Sequence, residues 1–162
     1  CQRASSLFIM KEFDYKLDYK TLDFTDEETR KLYRIGRGEQ GVLLVRPYTN
    51  DICAHWRFKT PTEAVESANH IFGMYLDYRD EKDFIGMDMA RKFLEMGWTR
   101  SRRYANHHTG KKYDDEGNVR PQEPDHDTCK YAESAKVFKR VRDIVAKNDT
   151  YVRMRKQWRS NE

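Results

Sequence analysis

An α+β fold is the expectation for this chain: a small antiparallel sheet or hairpin packed against three to four helices in a single compact domain. Three observations predict it. Residues 13–20 alternate strictly, with Phe13, Tyr15, Leu17 and Tyr19 on one side and Asp14, Lys16, Asp18 and Lys20 on the other, the period of a half-buried strand. Two short runs, Val42-Leu43-Leu44-Val45 and His55-Trp56-Arg57-Phe58, read as an edge strand and its partner. Beyond residue 60 the apolar residues recur at helical spacing.

The elements follow in order. Asp26 is a plausible cap for a short helix over residues 26–34, with Glu27 and Glu28 in its first turn. The turn-rich stretch 36–41 opens the first strand, and Pro47 ends it. Thr60-Pro61-Thr62-Glu63 is a helix start with Thr at the cap, Pro at the first helical position and Glu three residues after the cap. That helix should run to about residue 78, with Ala64, Ala68, Ile71, Phe72 and Tyr75 inward. Asp80 or Asp83 can cap a second one through Ile85, Met89, Phe93 and Met96, ended by Gly97. Its outer face would pair Asp88 with Lys92 and Arg91 with Glu95. Residues 109–128 form a long polar loop, and a last amphipathic helix over 131–146 turns Ala135, Phe138, Val141 and Val145 inward. The domain so drawn spans 13–159, with 1–12 as an N-terminal extension.

Composition narrows the classes. The 162 residues suit one domain, and the 13% of aromatic residues supply a core despite 36% charged ones. Cys1, Cys53 and Cys129 are an odd number, widely spaced, without CxxC; a reducing, cytoplasmic compartment is the natural reading. No apolar run is long enough for a membrane span or a signal-peptide core. Charge is unevenly distributed: residues 12–28 hold seven acids against two lysines, 98–112 hold five bases and no acid, and 136–159 hold nine bases against two acids. Either an anionic partner or pairing between the two ends would account for this.

Four blocks carry a family resemblance: Gly36-Arg-Gly-Glu-Gln-Gly-Val-Leu43, His55-Trp-Arg-Phe-Lys-Thr-Pro61, Gly86-Met-Asp-Met-Ala-Arg-Lys-Phe-Leu94 and Thr99-Arg-Ser-Arg-Arg-Tyr-Ala-Asn-His107. In this order they resemble an uncharacterised family of bacterial, fungal and phage proteins, domain of unknown function 4385, over roughly residues 13–158. The resemblance implies no activity.

Function centres on the basic-aromatic run from Trp98 to Tyr113. Arg100, Arg102, Arg103, Lys111 and Lys112 offer cations for phosphate, and Trp98 and Tyr104 offer rings on which a base could stack. Arg57 and Lys59 join this set. If the run is extended, Trp98, Arg100, Arg102 and Tyr104 share a face; if helical, Arg100 and Arg103 do. The bland alternative makes the two rings core and pairs the arginines with the acidic N-terminal third. His107 beside Arg103 and Lys111 is the candidate acid/base for a phosphate-acting enzyme. The GxGxxG at 36–41 opens a strand rather than a helix, so it reads as a turn needing positive φ. His107, His108, His126, Cys129, Asp125 and Asp127 match no dense zinc spacing and read as solvated loop residues, so no metal and no cofactor is assigned. Three readings stand: a nucleic-acid or nucleotide binding module, a small phosphodiester- or phosphate-acting enzyme, and a protein-interaction or structural module. Partners would be a nucleic acid, a phosphorylated small molecule or another protein, with no membrane.

Overall fold

A computed structural model describes residues 12–162. Among them there is no strand, so the α+β expectation is corrected to an all-helical fold. The helices are α1 (Glu27–Arg30), α2 (Tyr48–Cys53), α3 (Pro61–Asp80), α4 (Phe84–Asn106), α5 (Lys130–Lys147) and α6 (Asp149–Asn161), with one 3-10 turn at Tyr19–Thr21. The only sheet-like pairing among the described residues is a lone antiparallel bridge between Tyr113 and Val119.

Each misread strand fails for a local reason. In 13–20 Phe13 and Tyr19 are buried while Tyr15 is 58% exposed, and the Asp14 carboxylate accepts from the Lys16 N–H. Such Asx turns offer the backbone an alternative to a ladder. At 42–45 it is Val42 and Val45 that are buried, three apart, in successive turns. The Thr49 hydroxyl donates to the Val42 carbonyl and accepts from the Val45 N–H, replacing a partner strand. Segment 55–58 pairs instead with a helix side chain: the Ser67 hydroxyl donates to the His55 carbonyl and accepts from the Arg57 N–H.

The helix starts follow the sequence closely. The Asp26 carboxylate accepts from the Thr29 N–H, the Thr60 hydroxyl from the Glu63 N–H, and the Asp83 carboxylate from the Gly86 N–H. Gly97 does not end α4, which continues to Asn106. A Cβ there would land in the Phe138 ring of α5, so this glycine permits close helix packing rather than a left-handed cap. The C-terminal region is two helices, because Asn148 leaves the helical region with ψ of 130° between α5 and α6. Its side-chain oxygen accepts from the Tyr75 hydroxyl at 2.9 Å.

α4 lies at the centre, packed against α3 and α5 and touched by α2 and α6. Around its N-terminal half the aromatic residues form a continuous cluster in which Phe84 stacks on Tyr151 and Trp158, and Tyr33 meets Phe13, Phe24 and Trp158. Ring pairs like these add to the area they bury. No described helix is long and apolar enough to cross a membrane.

Candidate functional site

The C-terminal half of α4 turns the basic-aromatic run into a helical stripe. Trp98, Arg102 and Asn106 recur at spacing four, with Thr99 and Arg103 alongside. The stripe forms one wall of a cavity of about 410 Å³, closed by His107, Lys112, Arg120 and Gln122 from the following loop. The loop side is organised by the Tyr113–Val119 bridge, where the Arg120 N–H donates to the Lys112 carbonyl at 2.8 Å and sets the two cations side by side. The Arg120 Nε also donates to the Tyr113 carbonyl.

Four cations line this cavity, with no carboxylate among the lining residues. Arg102 is held by the His126 carbonyl at 3.0 Å and the Asn106 side chain at 2.7 Å, with Asp127 3.7 Å away. Arg103 is exposed and makes no ion pair among the described residues. His107 is 6% exposed, and its Nδ1 has no hydrogen-bond partner. A buried polar atom left unpaired is uncommon and calls for an explanation. Trp98 has Arg142 and Lys139 of α5 over its ring, at 4.8 and 5.8 Å, so those cations compete for its face with any base that would stack there.

The predicted residues therefore divide. Trp98, Arg102, Arg103, His107 and Lys112 converge on this cavity. Arg57, Lys59 and Tyr104 line a separate groove of about 340 Å³ with Phe58 and Tyr131. Arg100 and Lys111 are exposed and line neither. The run is helical, so the extended face does not form; Arg100 and Arg103 stand three apart on α4, both exposed, but only Arg103 lines the cavity. Arg120, which the sequence reading missed, is the fourth cation. Its only signal is the turn residues Asp114 and Gly117, the glycine having φ of 84°, which fold the loop back on itself. The arginines of α4 do not pair with the acidic segment 12–28 among the described residues. Ion pairs of the basic C-terminal region are made mostly within it, Lys139 with Asp143 and Arg159 with Glu162 among them.

A larger cleft of about 670 Å³ lies between the 36–38 turn, α4 and the α5–α6 corner, lined by Arg37, Arg91, Arg142, Arg155, Lys156 and Arg159 together with Glu95. Most of its guanidinium groups serve the fold. Arg91 bridges Asp88 and the Gly38 carbonyl, Arg142 pairs with Glu95 at 3.0 Å, and Arg159 donates to the Gly36 carbonyl. Gly36, Gly38 and Gly41 all have positive φ, as the turn reading required.

Behind this cleft sits a buried charged centre. Asp88 and Lys92 are fully buried rather than on an outer face. Asp88 accepts from the Tyr33 hydroxyl and, at 2.6 Å, from the Tyr151 hydroxyl, and pairs with Arg91 at 2.9 Å. Burial alone would raise its pKa, but Arg91, Lys92 and the two hydroxyls hold the carboxyl down at about 2. The Lys92 ammonium lies 3.8 Å from Asp88, over the rings of Phe13 and Tyr33 at 4.8 Å each, with no hydrogen-bond partner. Burial pushes it down to about 7, only partly offset by Asp88.

Fold and site together define a helical single-domain protein with a cation-lined cavity at the end of its central helix. Residues 14–161 match the model of the family described as domain of unknown function DUF4385, and the chain belongs to that family. No curated protein and no solved structure matches it significantly.

Proposed function

We propose that the protein is a binding module for a phosphate-bearing ligand, a nucleotide or a single-stranded nucleic-acid segment, held in the cavity between α4 and the 107–129 loop. One observation carries this reading: Arg102, Arg103, Lys112 and Arg120 meet there with no carboxylate among the lining residues, around a buried histidine whose Nδ1 is unpaired. Guanidinium forks match phosphate oxygens in pairs, and the volume suits a small ligand or one nucleotide unit. The larger cleft is the weaker candidate, since most of its guanidinium groups are already engaged and Glu95 lines it.

The test is binding of a fluorescent single-stranded oligonucleotide and of a mononucleotide across a salt series. If each of the four cations neutralises one phosphate of the oligonucleotide, log K against log salt falls with a slope of about −2.8, some 50-fold between about 50 and 200 mM. Arg103→Ala should weaken binding and flatten that slope by about 0.7 to 1. Affinity that does not change with salt, or a slope untouched by Arg103→Ala, refutes the assignment. A phosphate-acting enzyme with His107 as acid/base would use the same cavity; it requires turnover of a phosphodiester or phosphomonoester that His107→Ala removes while binding remains.

A further inference from the structure

We propose a second, separate site: His108, Asp125 and Cys129 form a three-ligand centre for a zinc-type divalent cation at the base of the 107–129 loop. Their ligand atoms all lie within 4.8 Å of one another, and His108 Nε2 is 3.0 Å from Asp125 Oδ1. Donor atoms at zinc bond lengths and tetrahedral angles stand about 3.3 to 3.7 Å apart. Small side-chain rotations at these exposed and half-buried positions would reach that geometry. Thiolate, imidazole and a single carboxylate suit zinc rather than calcium or magnesium, which take oxygen donors. Three protein ligands leave a fourth position to solvent.

The surroundings are those a metal-binding histidine needs. With Nε2 turned to Asp125, the other ring nitrogen, Nδ1, faces Glu123 Oε2 at 3.6 Å. The second Glu123 oxygen accepts from the His108 backbone N–H at 3.4 Å. Drawn in to hydrogen-bond distance, a carboxylate behind the ring would fix its tautomer and orientation. Cys129 occupies the N-cap of α5 yet makes no side-chain capping bond. Its sulfur is therefore left to a ligand, which binds it as the thiolate. The backbone also holds the cluster: the Cys129 and Thr128 N–H groups donate to the Asp125 carbonyl at 2.9 and 3.0 Å, and the Glu123 N–H donates to the Asn106 carbonyl at 2.8 Å. A cation here would join the end of α4 to the start of α5. The competing explanation, His108 as a plain polar neighbour of two carboxylates, accounts for the ring but gives the sulfur no role.

The experiment titrates the full reduced chain with Co²⁺, followed by displacement with Zn²⁺. Cys129 releases its thiol proton to solvent as the sulfur–metal bond forms, so binding weakens as the solution is acidified. Expected are one equivalent of Co²⁺ and a thiolate-to-cobalt charge-transfer band, lost in Cys129→Ser and His108→Ala. Glu123→Gln should keep the band but weaken affinity about 10- to 100-fold, and His126→Ala should leave both unchanged. Circular dichroism confirms that each variant is folded. No binding, or binding without a thiolate band, means that the sulfur is not a metal ligand here, and overturns the proposal. A band that survives Cys129→Ser belongs to Cys1 or Cys53, and overturns it equally.

Discussion

Lys92 should make the protein more stable as the solution turns mildly alkaline, the reverse of what a salt-bridged lysine does. Its ammonium is fully buried, without a hydrogen bond, and is pushed down to about 7 from an ordinary 10.5. Between those two values the unfolded chain binds a proton that the folded chain does not, so raising the pH favours the folded state. Below about pH 7 the full cost of charging or deprotonating Lys92 is present, on the order of 5 kcal/mol at about 1.4 kcal/mol per unit. From about pH 7 to about pH 9 some 2 kcal/mol of it is recovered. The window closes there because burial pushes the Tyr19, Tyr75 and Tyr78 hydroxyls up to about 12. Unfolded tyrosines ionise first, and stability falls again above about pH 10. Urea unfolding followed by helical circular dichroism at the two pH values measures the difference. Lys92→Met keeps most of the side-chain volume and leaves Asp88 with Arg91, Tyr33 and Tyr151, so it should abolish the rise and be at least as stable at pH 7. Equal wild-type stability at both values, or a rise that survives in Lys92→Met, would refute the reasoning.

Two further outcomes test the core. Asp88→Asn leaves the mostly buried Arg91 guanidinium, and Lys92 wherever it is protonated, without a counter-charge, and should cost about 3 to 5 kcal/mol in the same urea assay at pH 7. A loss below about 1 kcal/mol would mean the carboxylate does not hold the centre together. Gly97→Ala drives a methyl into the Phe138 ring and should cost about 1 to 3 kcal/mol. Gly73→Ala in α3 meets nothing within 4 Å, and should gain about 0.5 to 1 kcal/mol from helix propensity.

The helix starts were legible in the sequence because a cap is a local interaction. Thr60, Asp83 and Asp26 each reach an amide three residues ahead, and nothing distant alters that. The strands were misread because alternation reports only that a segment has two faces. Whether its backbone finds a ladder depends on partners elsewhere in the chain, here Thr49 and Ser67. Gly97 shows the same limit: near a run of arginines it resembles a helix stop, yet the Phe138 ring, 41 residues away, explains it better.

The site divides along the same line. On α4 the helical period joins Trp98, Arg102 and Arg103, so that wall needed only the correct secondary structure. The opposite wall depends on the Tyr113–Val119 bridge, which carries Arg120 back beside Lys112 across a polar loop with no periodicity to read. His108 and Cys129 are likewise 21 residues apart, and their meeting depends on the Asn106–Glu123 contact and the turn at Asp125. Metal spacings recognised in sequences are those in which one tight turn supplies two ligands; here a loop closed by backbone hydrogen bonds brings the third from the far helix. Composition could point to this loop, but only its closure decides which of its residues face one another.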